Sequence, residues 1–437
     1  MAVLRIAFDI DWDRGSIVNI AKYALGMSCV AALGMSTPSF ATNGYFVIGF
    51  GARSVGMGGI GVTSPGDSLC VGGNPACLGE FNRMQFDVGL GVFEPRRRSG
   101  TTVMTGGNSW SGTNTYVIPG MGMVFPWSDK LFLGFAALGN GGAGTKYRPN
   151  FFGGHEYLGV DMVQLIVPIT AAYKITPTNT IGLSIVPARQ RFLAEGLENF
   201  AIPAFSSDPS HVTGKGHDYA NGIGARIGWT GKFMDNKITL GATYASKVYM
   251  QKFDKYKGLF AEGGDFDIPE NYAIGIGFKP TDKWTVAMDV QRILYSGIAS
   301  VGNRGPDPTG NLPNAGRGTL LGLANGSGFG WKDQTVYKLG VEWKQSDKLT
   351  LRAGYNYGKV PIPQDQLLFN LLAPATTEKH ATIGLTYEME YGDLSFAYQR
   401  AFRKKMEGPV VGTGGESGVA SFEMFQNVYD VAFSMKF

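Results

Sequence analysis

The sequence is poor in charged residues, which narrows the class of protein. Charged side chains make up 17% of the 437 residues, against roughly 25% in soluble domains. A disordered chain would be rich in charge and poor in aromatic residues, whereas aromatic residues reach 12% here. The net charge of +4 is spread along the chain, so no basic face predicts a nucleic-acid partner. Beyond the N-terminus, no run of about 20 apolar residues predicts a membrane-spanning helix.

Glycine and aromatic residues are abundant instead. The chain contains 64 glycines, which is about twice the usual share of roughly 7%, and they lack the three-residue period of collagen. The mean hydropathy is −0.03, although the chain is rich in aromatic residues. These values favour an all-β protein in which apolar and polar residues alternate finely enough to cancel in the average.

The N-terminal region has the features of a secretory signal. Lys22 precedes the apolar stretch 23–35, and Ser39 and Ala41 satisfy the small-residue rule for cleavage. The apolar stretch is too short to span a bilayer. We therefore predict a signal peptide over residues 1–41 and an exported protein, with a buried N-terminal helix as the alternative.

Residues 42–83 are dense in glycine and lack any alternation of strand length. They contain Cys70 and Cys77, which flank Val-Gly-Gly-Asn-Pro-Ala. In an oxidising compartment, two cysteines this close are candidates for a disulfide. Two unpaired thiols are the alternative.

From residue 84 to the C-terminus, the chain consists of segments that alternate with period two. In 284–291, for example, Trp, Val, Met and Val alternate with Thr, Ala, Asp and Gln. Connections after even-numbered segments are short, and those after odd-numbered segments run about 15 to 35 residues, as in outer-membrane barrels. Fourteen segments follow this pattern: 84–94, 114–126, 130–140, 158–174, 178–194, 219–231, 237–250, 266–280, 283–297, 333–345, 348–358, 378–390, 392–402 and 424–437.

The alternation and the connection lengths together predict a barrel in the bacterial outer membrane. Lipid cannot satisfy backbone N–H and C=O groups, so a sheet in a membrane must close on itself. We predict a 14-stranded antiparallel transmembrane β-barrel over residues 84–437, because a soluble sandwich would carry more charge on its solvent face. Four tryptophans beside short turns fit an interfacial aromatic girdle: Trp127, Trp229, Trp284 and Trp343. The terminal Phe437 resembles the signature by which the barrel-insertion machinery recognises its substrates.

A family resemblance rests on short motifs in residues 42–79 and on the barrel that follows. These motifs are Asn43-Gly44-Tyr45, Gly56-Met57-Gly58-Gly59, Asp67 and Asn74-Pro75-Ala76, and the barrel adds Gly139-Asn140-Gly141-Gly142 and Pro361-Ile362-Pro363. As a set they resemble the FadL family of outer-membrane transporters for long-chain fatty acids and, in its TodX-like branch, aromatic hydrocarbons. Ile60 and the cysteine pair depart from the family pattern.

The resemblance implies a hatch, formed by residues 42–83, that plugs the lumen of the barrel. It also implies that extracellular loops capture a hydrophobic ligand, that the hatch passes it on, and that it leaves sideways near a kink in the third strand. Gly134 and Gly139 are the candidates for that kink, since glycine inside a strand weakens pairing. Small residues that fill a crowded lumen are the alternative.

Two long loops contain large apolar side chains that an extracellular loop does not otherwise need. We predict that they form a hydrophobic capture groove, with a lid of loops packed on one another as the alternative. The capture residues are Phe151, Phe152 and Tyr157 in one loop and Pro361, Leu367, Leu368, Phe369, Leu371 and Leu372 in the other. Charges on the inward parity are expected to hold the hatch, or to receive a carboxylate: Arg226, Asp289, Lys338, Glu342, Arg352, Asp430 and Lys436.

Catalytic and metal-binding motifs are missing. The four histidines lack H-E-x-x-H spacing, no G-x-S-x-G elbow is present, and the G-x-G-x-x-G at Gly56 lacks its strand and helix. We expect no catalytic residue, metal site or cofactor, and we predict that the protein is not an enzyme. A membrane-embedded hydrolase using His380 is the enzymatic alternative.

The expected partners follow from the membrane setting. They are a hydrophobic small molecule, outer-membrane lipid and lipopolysaccharide, and the barrel-insertion machinery, with no nucleic acid and a monomeric state. Arg96-Arg97-Arg98, in the first long loop, is expected to meet anionic headgroups. A general diffusion porin and a loop-based adhesin or receptor remain the alternatives, and the sequence leaves fatty acid and aromatic hydrocarbon equally open.

Overall fold

A computed structural model describes residues 43–64, 66–306 and 319–437; the signal peptide predicted over residues 1–41 lies outside them. All its strands belong to one sheet, and the first pairs with the last, so the sheet closes into a barrel without a second chain. The strands are β1 (Gln85–Thr101), β2 (Gly107–Trp110), β3 (Tyr116–Pro126), β4 (Leu131–Gly144), β5 (Gly159–Ile166), β6 (Ile169–Thr176), β7 (Asn179–Glu195), β8 (Asp218–Phe233), β9 (Ile238–Ala245), β10 (Tyr249–Met250), β11 (Asn271–Thr281), β12 (Trp284–Ile293), β13 (Gln334–Lys344), β14 (Leu349–Gly358), β15 (Lys379–Met389), β16 (Gly392–Val411) and β17 (Ser417–Lys436).

These strands form a wall of fourteen, which confirms the predicted fold. β5 and β6 both pair with β4 and β7, so they are two halves of one wall strand interrupted at Val167 and Pro168. β9 and β10 are likewise two halves of one wall strand, since both pair with β8. β2 pairs only with the far end of β1 and extends it beyond the wall.

The wall is apolar on its outside. Along β7, exposed Ile181, Leu183 and Ile185 alternate with buried Thr180 and Ser184. Exposed large side chains on one parity and small or polar ones on the other are the pattern that lipid outside and a polar lumen inside impose. The predicted period-two alternation is therefore the membrane-facing pattern of the barrel.

Tryptophans lie near the end of the barrel that carries the short turns. Trp127 follows β3 and is 57% exposed. Trp284 and Trp343 are also exposed and stack with ring centroids 5.4 Å apart. Trp229 donates from Nε1 to Asn179 Oδ1 over 3.2 Å. Amphipathic rings at this level suit the membrane–water interface.

The structure corrects the predicted boundaries at the long-loop end. The predicted loop 403–423 is wrong, because β16 and β17 continue as a paired ribbon and leave only residues 412–416 between them. A register shift between Ala401 and Lys404 breaks the alternation there, which is why the pattern ended early. β1 likewise continues through Pro95, which faces no β3 partner and so needs no N–H. Arg96–Arg98 therefore lie in a strand, not in a loop.

The hatch consists of short helical pieces inside the wall. Helix α1 (Gly51–Gly56) packs against β14 to β17, and two 3-10 turns, Ser68–Gly72 and Pro75–Glu80, pack against β3, β4 and β6 to β8. No helix in the described parts of the chain is long and apolar enough to cross a membrane. The loops add α2 (Ala261–Gly264), α3 (Ala299–Gly302) and 3-10 turns at Glu198–Phe200, Pro209–His211, Asp254–Tyr256, Tyr295–Gly297 and Phe369–Leu371.

Candidate functional site

Two charged side chains of the wall hold the backbone of the hatch. Asp289 on β12 accepts from the amides of Gly61 and Val62 over 2.8 and 3.0 Å. Lys338, directly opposite on β13, donates from Nζ to the carbonyls of Ile48 and Gly59 over 2.9 and 3.0 Å. Charge-assisted bonds of this kind are about twice as strong as neutral ones. The hatch is thus tied to the wall at the turn that follows α1.

Ion pairs add further ties between the hatch and the wall. Arg53 in α1 donates from Nη2 to Asp393 Oδ2 over 2.6 Å, and Lys436 reaches the same oxygen over 2.6 Å. Arg226 donates to the carbonyls of Gly72 and Gly73. Because these charges are largely buried, removing one partner would leave the other unpaired in a poorly solvated site.

The segment Asn74-Pro75-Ala76, here called the tip of the hatch, is held in place by the side chain of Asn74. Asn74 Oδ1 accepts from the Ala76 amide over 3.0 Å, and Nδ2 donates to the Val62 carbonyl and to the Trp229 carbonyl over 2.9 and 3.1 Å. A disulfide joins Cys70 and Cys77 and so links the two 3-10 turns on either side of the tip. Residues 68–80, here called the lower hatch, therefore form a rigid unit.

An aromatic cluster forms the upper surface of the hatch. The ring of Tyr45 lies 5.0 Å from that of Tyr295 and 5.7 Å from that of Trp331. The Tyr295 hydroxyl donates to the Asn43 carbonyl, and burial raises the pKa of Tyr295 well above its usual range, so the proton stays in place. Gly44 has φ +63°, and a Cβ there would fall within 2.8 Å of the Tyr295 ring, so this position requires glycine.

The wall is interrupted beside this cluster. Pairing between β3 and β4 ends at Gly120 and Leu138, and the register of β4 against β5 shifts between Gly139 and Gly141. Beyond that point, hatch residues 45–47 take the place of β3. The Val47 amide donates to the Asn140 carbonyl over 3.2 Å, and the Gly142 amide donates to the Tyr45 carbonyl over 3.0 Å. The free edge of β4 is therefore sealed by the hatch.

Directly above the hatch lies an apolar cavity, here called the loop cavity. Its empty volume, counting the open mouth, is about 1080 Å³. Tyr45 forms part of its lining, and the loops 145–158 and 359–378 meet across it, where Thr145 Oγ1 donates to the Leu372 carbonyl over 2.6 Å. Its other large lining side chains are Phe152, Met162, Phe192, Leu197, Phe200, Leu259, Phe260, Phe266, Leu321, Phe329, Trp331, Phe369, Leu372 and Met424.

The loop cavity has one charged group in its lining, Arg97. Its two Nη atoms donate to the carbonyls of Gly144 and Thr113, and Nη2 also reaches the Tyr116 hydroxyl over 2.9 Å. The remaining polar lining consists of hydroxyls and backbone. A cavity with this surface suits a hydrophobic molecule. Within the described ranges, no group of three or more His, Cys, Asp or Glu side chains is placed to hold a metal ion.

Comparison with known proteins agrees with this architecture. The family model described as outer membrane protein transport protein (OMPP1/FadL/TodX) matches residues 35–413. The chain belongs to this family. FadL/TodX-type proteins are outer-membrane transport channels for hydrophobic substrates and are not enzymes.

Solved structures share the fold. The Pseudomonas putida toluene transporter TodX superposes with a TM-score of 0.65 at 20% identity, over 89% of this chain and 99% of TodX. A Pseudomonas aeruginosa FadL homologue gives a TM-score of 0.69 at 15% identity, over 90% and 99% of the two chains. An uncharacterized Chlorobium limicola protein from the 5′ region of the phosphoenolpyruvate carboxykinase gene is 36% identical over 75 residues; the match spans 17% of this chain and 37% of that protein.

The predicted capture residues of this FadL/TodX-type barrel fall into two groups. Phe152, Phe369 and Leu372 line the loop cavity. Of the others, Phe151, Leu367 and Leu371 are buried in the loop packing, and Pro361 is buried beside Lys332. Leu368 lines an adjoining cavity that shares Phe369 with the loop cavity. The Lys146 ammonium lies 4.5 Å from the centre of the Tyr157 ring. Three of the nine predicted residues therefore line the loop cavity, and a role of any of the nine in ligand capture stays a prediction.

The residues predicted for the kink and for the hatch also lie in different parts of the structure. Gly139 borders the register shift of β4, whereas Gly134 lies in regular pairing with Val124 and Thr170. Asn43, Gly44 and Tyr45 lie at the upper surface of the hatch, and Asn74, Pro75 and Ala76 form the lower tip. Phe437 donates its amide to the Met84 carbonyl where the barrel closes.

Three of the seven predicted lumenal charges contact the hatch backbone directly, namely Arg226, Asp289 and Lys338. Lys436 acts through Asp393, whereas Arg352 and Glu342 pair with each other over 2.8 Å. The sequence reasoning missed Arg53 and Asp393, although Arg53 lies between two recognised hatch motifs. It also missed the aromatic residues that other loops add to the loop cavity, because nothing local in the sequence marks them.

Proposed function

We propose that this protein carries hydrophobic small molecules from the exterior into the outer membrane, and that residues 45–47 act as the gate. The ligand enters the loop cavity, displaces this segment, and leaves sideways between β3 and β4. The observation that carries the proposal is the double role of one segment. Tyr45 lines the loop cavity, and the same three residues seal the edge of β4 that β3 has left.

The energetics favour a gate at this place over movement of the whole hatch. Residues 45–47 are held to β4 by two neutral backbone bonds, which together are worth about 2 kcal/mol, and their remaining contacts are the ring contacts of Tyr45 and Phe46, which an apolar ligand can replace. The lower hatch is held by a disulfide, by Asn74 and by charge-assisted bonds from Arg226 and Lys232, and Lys338 fixes the Ile48 carbonyl immediately beyond the segment. A ligand that gains contacts in the opened state can therefore shift the upper segment while the lower hatch stays in place.

A cross-link between the segment and the wall tests this mechanism. Val47→Cys and Asn140→Cys place two thiols on adjacent antiparallel positions, within reach of a disulfide. After oxidation, uptake of a labelled fatty acid or monoaromatic hydrocarbon by cells that depend on this protein is expected to fall to background. Each single variant, oxidised in the same way, is the control. Normal uptake by the cross-linked protein would refute the gate.

The two ligand classes can be separated in the same assay, because they differ by a carboxylate. Both are offered to the wild-type protein and to the Arg97→Gln variant, which removes the one cation of the cavity lining. Selective loss of fatty-acid uptake would identify the carboxylate as part of the substrate. Equal effects on both classes would favour an uncharged ligand. In planar bilayers we expect no stable open channel, which distinguishes this proposal from a general porin.

A further inference from the structure

An arginine cluster lies on the outward face of the barrel, away from the loop cavity. Arg403 lies 5.9 Å from the ring of Trp110 and 4.8 Å from that of Phe425. Arg98 covers Trp110 at 5.9 Å, and Arg400 covers Phe425 at 4.8 Å. The two rings meet edge-to-face with centroids 6.4 Å apart. We call these side chains, together with exposed Arg96, the arginine patch.

The ribbon of β16 and β17 creates this patch. In register, Arg98 faces Trp110 of β2 and Glu423 of β17, and Arg96 faces Phe425. Four strands thus bring together arginines that are about 300 residues apart in sequence. The aromatic rings hold the guanidinium groups in fixed positions by cation–π contact, and Trp110 remains 44% exposed.

The charge of the arginine patch is only partly compensated. Arg403 Nη1 reaches Glu423 at 3.4 Å, and Arg400 Nη1 donates to Asn427 Oδ1 over 2.8 Å. Glu94, opposite Asn427 on β1, is a second carboxylate beside these arginines, and Glu407, farther along β16, pairs with Lys405. The four guanidinium groups of the arginine patch therefore outnumber the two carboxylates directly beside them, Glu423 and Glu94, and the Arg403 side chain is 55% exposed. This surface is suited to a ligand with more than one negative charge.

The height of the arginine patch on the barrel places it at the outer headgroups. Tyr398 and Tyr429 point outward one step below it, with ring centroids 5.2 Å apart, as expected for an interfacial aromatic girdle. Arg96 lies ten residues beyond Phe86, the outward residue near the start of β1. A transmembrane strand needs about 9–11 residues, so the arginine patch begins where the apolar band ends.

We propose that the arginine patch binds the phosphate groups of a phosphorylated, multiply acylated glycolipid of the outer leaflet, of the lipid A type. The guanidinium groups donate hydrogen bonds to the phosphate oxygens. The acyl chains lie along the apolar band below, over Leu90, Phe396 and Val431. This site is independent of the transport path, since none of the four arginines lines the loop cavity.

Native mass spectrometry of the purified full-length protein tests the proposal by titration with bis-phosphorylated lipid A. The Arg400→Gln/Arg403→Gln double variant is expected to bind about tenfold or more weakly, since two charge-assisted contacts are lost. Arg98→Gln is a second, independent variant with the same direction of effect. Arg189→Gln is the matched control, because Arg189 also lies outward over an aromatic ring, 5.1 Å from Tyr219, but stands outside the arginine patch.

Titration with two further ligands identifies which part of lipid A the arginine patch recognises. The dephosphorylated glycolipid should bind much more weakly than lipid A, and inorganic phosphate should fail to compete at matched concentration. Equal affinity for the dephosphorylated lipid would overturn the phosphate assignment, and equal affinity for inorganic phosphate would overturn the lipid. Wild-type affinity in the patch variants, or an equal loss in Arg189→Gln, would overturn the site. The heat-dependent shift of electrophoretic mobility shows that each variant forms the barrel.

Discussion

Replacing Gly141 with alanine is expected to release residues 45–47 from the edge of β4. A Cβ at this position would lie 2.1 Å from the Tyr45 carbonyl oxygen, on the backbone of the segment it faces. An ordinary contact needs about 3.5 Å, so the two backbones must part by more than about 1 Å. The bonds from Val47 and Gly142 would then exceed hydrogen-bonding distance.

The size of the effect follows from the bonds lost. Two backbone hydrogen bonds at about 1 kcal/mol each correspond to about 2 kcal/mol, or roughly a thirtyfold change in the population of the released segment. Hydrogen exchange measured by mass spectrometry on the peptide covering residues 43–49 should therefore accelerate by about thirtyfold. Exchange in the lower hatch, at residues 68–80, should stay slow because the disulfide and Asn74 are untouched.

The control is Gly297→Ala, since a Cβ there meets nothing within 4 Å. It should leave exchange of the 43–49 peptide unchanged. Unchanged exchange in the folded Gly141→Ala variant would refute the reasoning, as would an equal acceleration throughout the hatch. In the second case the hatch would move as one body, and the upper segment would not be a separate gate.

Three further perturbations test other parts of the structure. Lys338→Met removes the donor from two buried carbonyls, each costing about 1–3 kcal/mol, so hatch peptides should exchange faster while the barrel stays folded. Phe369→Ala should weaken ligand binding, followed by calorimetry, about tenfold by removing part of the cavity wall, whereas Leu368→Ala, at a residue that lines only the adjoining cavity, should not. Replacing Cys70 and Cys77 with serine should cost about 2–3 kcal/mol by the loop-entropy argument, measured as faster exchange of the lower hatch.

Much of the fold could be predicted from the sequence because membrane physics constrains it residue by residue. Lipid outside and a polar lumen inside force alternation with period two, and closure forces every strand to pair. The fourteen wall strands and the short turns follow from these local patterns, whereas the plugging hatch is predicted only through the family resemblance of its motifs. The prediction ended early at Pro95 and at Ala401, where a proline and a bulge interrupt the alternation although pairing continues.

The candidate site was less accessible from the sequence because it is assembled across the barrel. Gly134 and Gly141 look alike in sequence, yet only Gly141 faces the hatch segment that replaces β3. Phe192, Phe260 and Trp331 come from separate parts of the chain and meet only in the loop cavity.

The sequence by itself determined that this chain is charge-poor and alternates with period two, because those properties depend on neighbours along one strand, whereas the plug is predicted only through the resemblance of its motifs to a family. The tertiary structure decided which side chains meet across the lumen and on the outer face. Arg53 meets Asp393 across 340 positions, and Arg98 meets Arg403 around Trp110, only because strand register brings them together. Contacts at such separation depend on the register in which distant strands pair, which no local pattern encodes.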